Sequence, residues 1–407
     1  MIRRKFSNMA FFCITLIVLI LNGCSGNSTD EVVQNIGWFI NQHKDLKNSY
    51  FVGKFGVDNN PAGWDTGAYL RAYVDAYEAT HDIRILRNLD ELLKIVADGN
   101  DAITKRVDDR THKVMPGWGT REYNYGRNGG QRYSDMLTNA LYAYPLAAFA
   151  RIVKENPKLG DEFSADANRY YNMVQKLYNV HKPFVPDEYS PYSDGTYGAY
   201  FAYPNGYYEN KNNYSGTEAP INMTVIIAEP LVEMYRASVA DGKANLKYKN
   251  IVENVANYIW WNMHSKSTIR GDKYLIWYYW PADINYDSRD RMEDLTHGAR
   301  LAEFVVSLYD AGLRKQWTKK KLEYLANTFT CAAVVNNTTF ANYIDGTGGV
   351  YKDEPATLYE WLELQEYSHK SSRNTIAYYL KNNMKYKKEN VKYNIAVFAK
   401  FIRYGQL

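Results

Sequence analysis

The chain has 407 residues, 46% of them hydrophobic, with 49 Lys and Arg against 45 Asp and Glu. The formal charge of +4 shows no basic stripe, which excludes a nucleic-acid footprint, and three cysteines are too few for a disulfide framework. The 38 Tyr and 9 Trp exceed what a core needs and point to a surface where aromatic faces stack on sugar rings.

At the start, Arg3, Arg4 and Lys5 precede an apolar run, Phe11 to Leu21, that is too short for a permanent membrane span. The run ends in Leu21-Asn22-Gly23-Cys24, which resembles the lipobox cleaved before an acylated cysteine in bacterial lipoproteins. Ser25 after Cys24 implies an outer-membrane address, facing either the periplasm or the outside. On that resemblance residues 1–23 are a signal peptide and Cys24 is the lipidation site. The mature chain would have 384 residues (407 minus 23), and losing Arg3, Arg4 and Lys5 takes its charge from +4 to about +1. Residues 24–45 form a lipidated tether and first helix, and 46–407 one catalytic domain.

Pro61-Ala-Gly-Trp64-Asp65 opens a predicted helix to about Thr80, with Leu70, Tyr73, Val74 and Tyr77 on one face, and a partner follows at about 83–98. Residues 100–131 form a long loop, of a length that is usually functional in a compact fold. Helices at about 132–155 and 160–179, a second long loop at 182–216, and helices at about 218–239 and 245–264 come next. Trp277–Gly312 begins as an aromatic, Asp- and Arg-rich loop and becomes a helix from about Glu293, paired with one at about 318–335 that holds Cys331 as a small core residue. Helices at about 355–367, 372–384 and 390–403 close the chain, and no alternating strands are expected. Tyr133 to Pro145 and Glu218 to Pro230 are both twelve residues, which puts an interior proline at matching depth in two helices.

Helical hairpins with short turns at one end and long loops at the other describe an all-α toroid, (α/α)6 to (α/α)7. Its inner helices begin near Asp65, Arg132, Glu218, Asp294, Pro355 and Val391, with a cleft on the long-loop rim. Residues 293–298, Glu-Asp-Leu-Thr-His-Gly, place two carboxylates three and four positions before His297. On a helix both reach the imidazole, fix its tautomer and raise its pKa. The same run also reads as a capped helix start.

An exported helical toroid with an aromatic cleft is similar in architecture to the toroid polysaccharide lyases and the six-hairpin glycoside hydrolases. With Tyr286–His297 as its motif-like stretch, it resembles most the alginate and glucuronan lyases of polysaccharide lyase family 38. That resemblance implies β-elimination on an anionic uronate polysaccharide, by a monomer without cofactor. Asn222, His297 and Arg291 would neutralise the uronate carboxylate, and Tyr286 would be the base, with Tyr279 and Tyr133 behind it. Arg289, Arg291 and Arg132 supply the cations that a tyrosine base needs. Substrate binding falls to Trp64, Trp118, Arg121, Arg132, Tyr133, Tyr279, Arg289 and Glu293. Hydrolysis is the alternative, by two carboxyl groups drawn from Asp65, Asp135, Glu218, Glu293, Asp294 and Glu354. A third reading is a glycan-binding lipoprotein that keeps Trp64, Trp118 and Trp280 as platforms. The seven scattered histidines give His297 no partner at ligand spacing, so no metal is expected.

Overall fold

The computed structural model describes residues 37, 39–122, 130–187, 197–209, 212–281, 291–336, 339–352, 355–368 and 391–404. Cys24 with the signal segment, the expected helix at 372–384, and Tyr286, Arg289 and Glu354 lie outside these residues.

A short helix α1 (His43–Leu46) widens into a turn at Lys47–Phe51. The long helices follow: α2 (Trp64–Thr80), α3 (Ile83–Asp98), α4 (Met136–Glu155), α5 (Gly160–His181), α6 (Ile221–Ala240) and α7 (Leu246–Trp261). The last four are α8 (Leu295–Asp310), α9 (Lys319–Asn327), α10 (Pro355–Tyr367, wound as 3-10) and α11 (Val391–Arg403). Several begin where a side chain accepts a bond from an orphan first-turn amide: Asp82 for α3, Asp135 for α4, Asn245 for α7 and Asp294 for α8.

The packing closes on itself. α2 packs on α4, α4 on α6, α6 on α8, α8 on α10, α10 on α11, and α11 back on α2. Among the described residues six helices therefore form a ring, resolving the choice between six and seven. Outside it, α3 lies against α2 and α4, α5 against α4 and α6, α7 against α6, and α9 against α8 and α10. The burial pattern explains the layering. Outer α3 buries a single face (Ile85, Leu86, Leu89, Leu92, Leu93 and Val96), whereas ring helix α4 is buried almost all round, including its polar residues. Pro145 and Pro230 each stand tenth in a 20-residue helix, α4 and α6, and these two pack on each other.

Two expectations need correction. Short strands are present: among the described residues five two-stranded antiparallel ribbons lie in the connections, β1–β2 (Val107–Asp108, Lys113–Val114), β3–β4 (Phe184–Asp187, Gly198–Phe201), β5–β6 (Tyr208–Glu209, Asn212–Asn213), β7–β8 (His264–Ser267, Lys273–Ile276) and β9–β10 (Val334–Asn336, Thr339–Phe340). Long loops must find partners for their amides and carbonyls, and pairing with themselves supplies them. The helix expected to reach 335 stops at Asn327 and widens over Thr328–Ala332, leaving Cys331 half-buried rather than in the core. The Thr330 hydroxyl donates to the Ala326 carbonyl at 3.0 Å, side-chain bonding that bends helices, while that of Thr328 donates to the Leu275 carbonyl of β8 at 2.7 Å.

The ring axis is filled by charge. Arg71 (α2) meets Glu303 (α8) at 2.7 Å and Glu229 (α6) at 3.0 Å. Lys400 (α11), 1% exposed, meets Asp75 (α2) at 2.9 Å and Glu303 at 3.1 Å, and it also bonds Glu363 (α10). Arg151 (α4) bonds Glu233 (α6) and Glu78 (α2). Every ring helix contributes. Lys400→Met keeps the aliphatic stem but takes from three buried carboxylates a cation that they share. It should lower stability by about 3–5 kcal/mol, read as a fall in the urea midpoint with an unchanged slope.

Candidate functional site

A chain of contacts runs around one rim, where the ring helices begin. Thr66 of α2 bonds Tyr142 of α4 at 2.7 Å. Tyr133, just before α4, packs edge-on against Tyr207, which stacks on Tyr203 at 4.5 Å. Tyr203 reaches Met223 of α6 and lies 6.3 Å from Trp280. Tyr279 touches His297 of α8, and Thr296 of α8 meets Thr357 of α10. The long loops thus place their aromatic residues over the N-terminal ends of the ring helices.

The segment leading into α8 is pinned as two extended arms. Tyr279 N–H donates to the Arg291 carbonyl at 2.9 Å, and Glu293 N–H to that of Trp277 at 3.1 Å. Asp294 caps α8, accepting from the His297 amide at 2.9 Å through Oδ1 while Oδ2 lies 2.7 Å from His297 Nδ1. Capping and imidazole orientation, alternatives in the sequence, are therefore two functions of one carboxylate. Arg291 approaches the same Oδ2 at 3.5 Å and lies 4.9 Å over the Tyr279 ring. Burial opposes charging His297, but the hydrogen bond and charge of Asp294 outweigh it and raise the imidazole pKa. Burial likewise works against Asp294, and His297 overcomes it, holding the carboxyl below the usual range. Glu293, fully buried, accepts from the Trp277 indole at 3.2 Å, and burial with the Asp294 charge pushes it up to about 8.

A second cluster opens at the start of α2. Gly63 (φ +90°) begins the helix with its Cα so close to α4 that a Cβ would stand 3.0 Å from Leu141 Cβ. The turn leaves Trp64 36% exposed at the mouth of a cleft of about 450 Å³, with Asp65 and Glu122 on its walls. Glu122 comes from the long loop and is exposed; partial desolvation raises its carboxyl, the Ala62 amide opposes and the Asp65 charge adds to the rise. Glu122 was missed in the sequence because nothing distinguishes it from a loop surface charge. Its neighbour Arg121 drew attention instead.

Several expected site residues serve the scaffold. Trp118 is 1% exposed and donates its indole N–H to the Val96 carbonyl at 2.7 Å, so it has no face for a sugar. Arg132 is buried on Asp101 and the Asp58 carbonyl, and Gly119 packs against its guanidinium. Arg121 is held by Asp58 at 3.0 Å and Asp109 at 3.4 Å. Tyr133 is buried and donates to Asp135, which caps α4, and burial raises its phenol well above the ordinary value. Asn222 is buried in the first turn of α6, its side-chain oxygen without a hydrogen bond among the described residues. Trp280 is covered by Tyr214, stacked at 5.4 Å, and Glu218 pairs through its backbone with Ala202 ahead of α6. The structure therefore groups Tyr279, Arg291, Glu293 and His297 in one cluster and Trp64 with Asp65 in another. It takes Trp118, Arg132 and Tyr133 out of the cleft.

No family model matches the chain, and no curated protein matches it in sequence. Among solved structures it is similar to a mutant of Rex8A from Paenibacillus barcinonensis complexed with 3(3)-alpha-L-arabinofuranosyl-xylotetraose, at 12% identity and a TM-score of 0.45. The match covers 95% of this chain and 94% of that one. The six-helix ring rests on the internal contacts described above, independently of that likeness.

Ligand atoms of Glu293, Asp294 and His297 lie within 4.8 Å of one another, the spacing of a metal site. They fit an ion poorly. Asp294 and His297 Nδ1 are bonded to each other, Glu293 is occupied by Trp277, and the Arg291 cation stands at 3.5 Å from Asp294. The cluster is better described as an Asp–His pair joined through Nδ1. Its charge coupling has a definite sign. Stability from the raised His297 is present below the unfolded value of about 6.5 and is lost as pH rises through the folded pKa; stability from the lowered Asp294 is present above about 3.9 and is lost on acidification. Asp294→Asn keeps a capping side chain but removes the charge. The His297 pKa should fall, as followed by NMR titration of the imidazole Cε1–H, with the largest stability difference from wild type between those two values.

Proposed function

We propose that the chain is a carbohydrate-active enzyme that hydrolyses glycosidic bonds in the rim cleft, with Asp65 and Glu122 as its carboxyl pair and Trp64 as a sugar platform. The observation that carries this reading is the pairing, beside an exposed tryptophan, of two carboxyl groups that come from different segments and line one cleft. Glycoside hydrolysis needs two such groups, one to protonate the leaving oxygen and the other to activate water or attack. Elimination, the leading expectation from the sequence, is less well supported. Two of the arginines assigned to the acidic polymer, Arg121 and Arg132, are engaged by Asp58, Asp109 and Asp101. The lipid anchor at Cys24 remains part of the proposal and would hold the cleft at the outer membrane, near polymeric substrate.

Elimination at a uronate keeps one specific support. Tyr279 lies between the Arg291 guanidinium and His297, the surroundings that a tyrosine base requires. One panel separates the readings. Purified protein should release new reducing ends from a neutral glycan without absorbance at about 235 nm, the unsaturated-uronate signature that elimination would produce. Asp65→Asn and Glu122→Gln should each cut that rate about 100- to 10,000-fold with an unchanged melting temperature. Full activity in both variants would remove the pair from the mechanism. Absorbance on alginate or glucuronan that is abolished by Tyr279→Phe would establish elimination instead.

A further inference from the structure

The Trp64 ring has a second neighbour. Arg300 belongs to α8, on the far side of the ring from α2, and its guanidinium carbon lies 5.8 Å from the Trp64 ring centroid. The arginine is fixed from below. It bonds Glu360 of α10, stands 3.9 Å from Glu303 one turn along its own helix, and is only 18% exposed. Trp64 is constrained from its backbone side, because Gly63 and Gly67 are in tight approach to Leu141 of α4.

We infer that Arg300 is a positioning residue for the sugar platform: its guanidinium backs the Trp64 indole on one side and holds the ring so that the opposite side faces the cleft. A cation within about 6 Å of an indole is attracted to the face of the π system, and a planar guanidinium can lie along an aromatic plane where an ammonium cannot. An otherwise mobile side chain at a helix start is thereby ordered before ligand arrives, and pre-organisation of this kind improves affinity by removing an ordering cost. Arg300 also ties the cleft to the charged ring axis, since Glu303 is shared with Arg71 and Lys400.

The carbohydrate part of this inference rests on the hydrolytic reading of the cleft; the placement of the indole does not, and the test has a readout for each. Arg300→Lys keeps a cation for Glu360 and Glu303 but loses the planar group. The first readout is oxidation of Trp64 by N-bromosuccinimide, quantified by peptide mass spectrometry on the folded full chain. The variant should oxidise at Trp64 at least about threefold faster than wild type, with an unchanged melting temperature. An unchanged rate overturns the inference whatever the enzyme's activity. The second readout is a double-mutant cycle on KM for the neutral oligosaccharide that the panel identifies. Arg300→Lys should raise KM about five- to tenfold with kcat within twofold, and should add nothing in a Trp64→Ala background. Equal effects in both backgrounds would reduce Arg300 to a structural role. If no glycan is cleaved at all, the hydrolytic reading falls while the oxidation result still decides the contact. If the lysine variant does not fold, Glu360→Gln, which loosens the arginine's anchor and keeps the guanidinium, takes its place with the same two readouts.

Discussion

Six helices cannot close around an axis without deciding what fills it, and in this chain the filling is ionic. Arg71, Asp75, Arg151, Glu229, Glu233, Glu303, Glu360, Glu363, Lys400 and Arg403 come from all six ring helices and are largely buried. Any one of these groups alone would be intolerable away from water, so each requires the helix that carries its partner. The network therefore acts as a register device. Arg71 must meet Glu229 and Glu303 while its guanidinium lies 3.6 Å over Tyr144, which fixes α2, α4, α6 and α8 together. Its charge is uneven. Burial pushes Glu229 up to about 7 despite Arg71, whereas Lys400 and Arg403 overcome the burial of Glu363 and hold it at about 2.

That rigid axis lets the rim be irregular. Helix starts converge there with first-turn amides and long loops, so polar and aromatic residues accumulate at one end while the other end closes on ion pairs such as Arg403 with Glu78. The two clusters on the rim differ in kind. Asp294, His297 and Arg291 neutralise one another, and their geometry is inseparable from the cap of α8. Asp65 and Glu122 come from different segments and share a cleft with an aromatic ring.

Much of the architecture was legible because it follows from periodicity and punctuation. The starts of the ring helices near Asp65, Arg132, Glu218, Asp294, Pro355 and Val391 fall within a few residues of the observed ones, since capping residues and the ends of the long loops mark them. The site was less legible. A sequence does not say which way a loop side chain turns, so Trp64 and Trp118 looked alike, yet one is exposed and the other gives its indole N–H to Val96. Arg132 read as a binding cation because its partner Asp101 is 31 residues away and reaches it only through the folded loop. The ribbons were invisible for a similar reason. Pairs of two to four residues, such as Val107 with Val114, carry too little alternation to register as strands.

The matched prolines have a consequence for how the layers are joined. A proline has no N–H to give and strains the turn before it, so carbonyls three and four residues earlier lose their usual helical partners. Around Pro230 one such oxygen, on Ile227, is taken by the Tyr178 hydroxyl of outer helix α5 at 2.6 Å. Around Pro145 the oxygen four residues back, on Leu141, faces Gly67 of α2, where a side chain's Cβ would come within 3.0 Å. Each defect in a ring helix has thus become a fastening point for a neighbour. Two adjacent staves of the ring are tied to their neighbours through main-chain oxygens as well as through side-chain bulk.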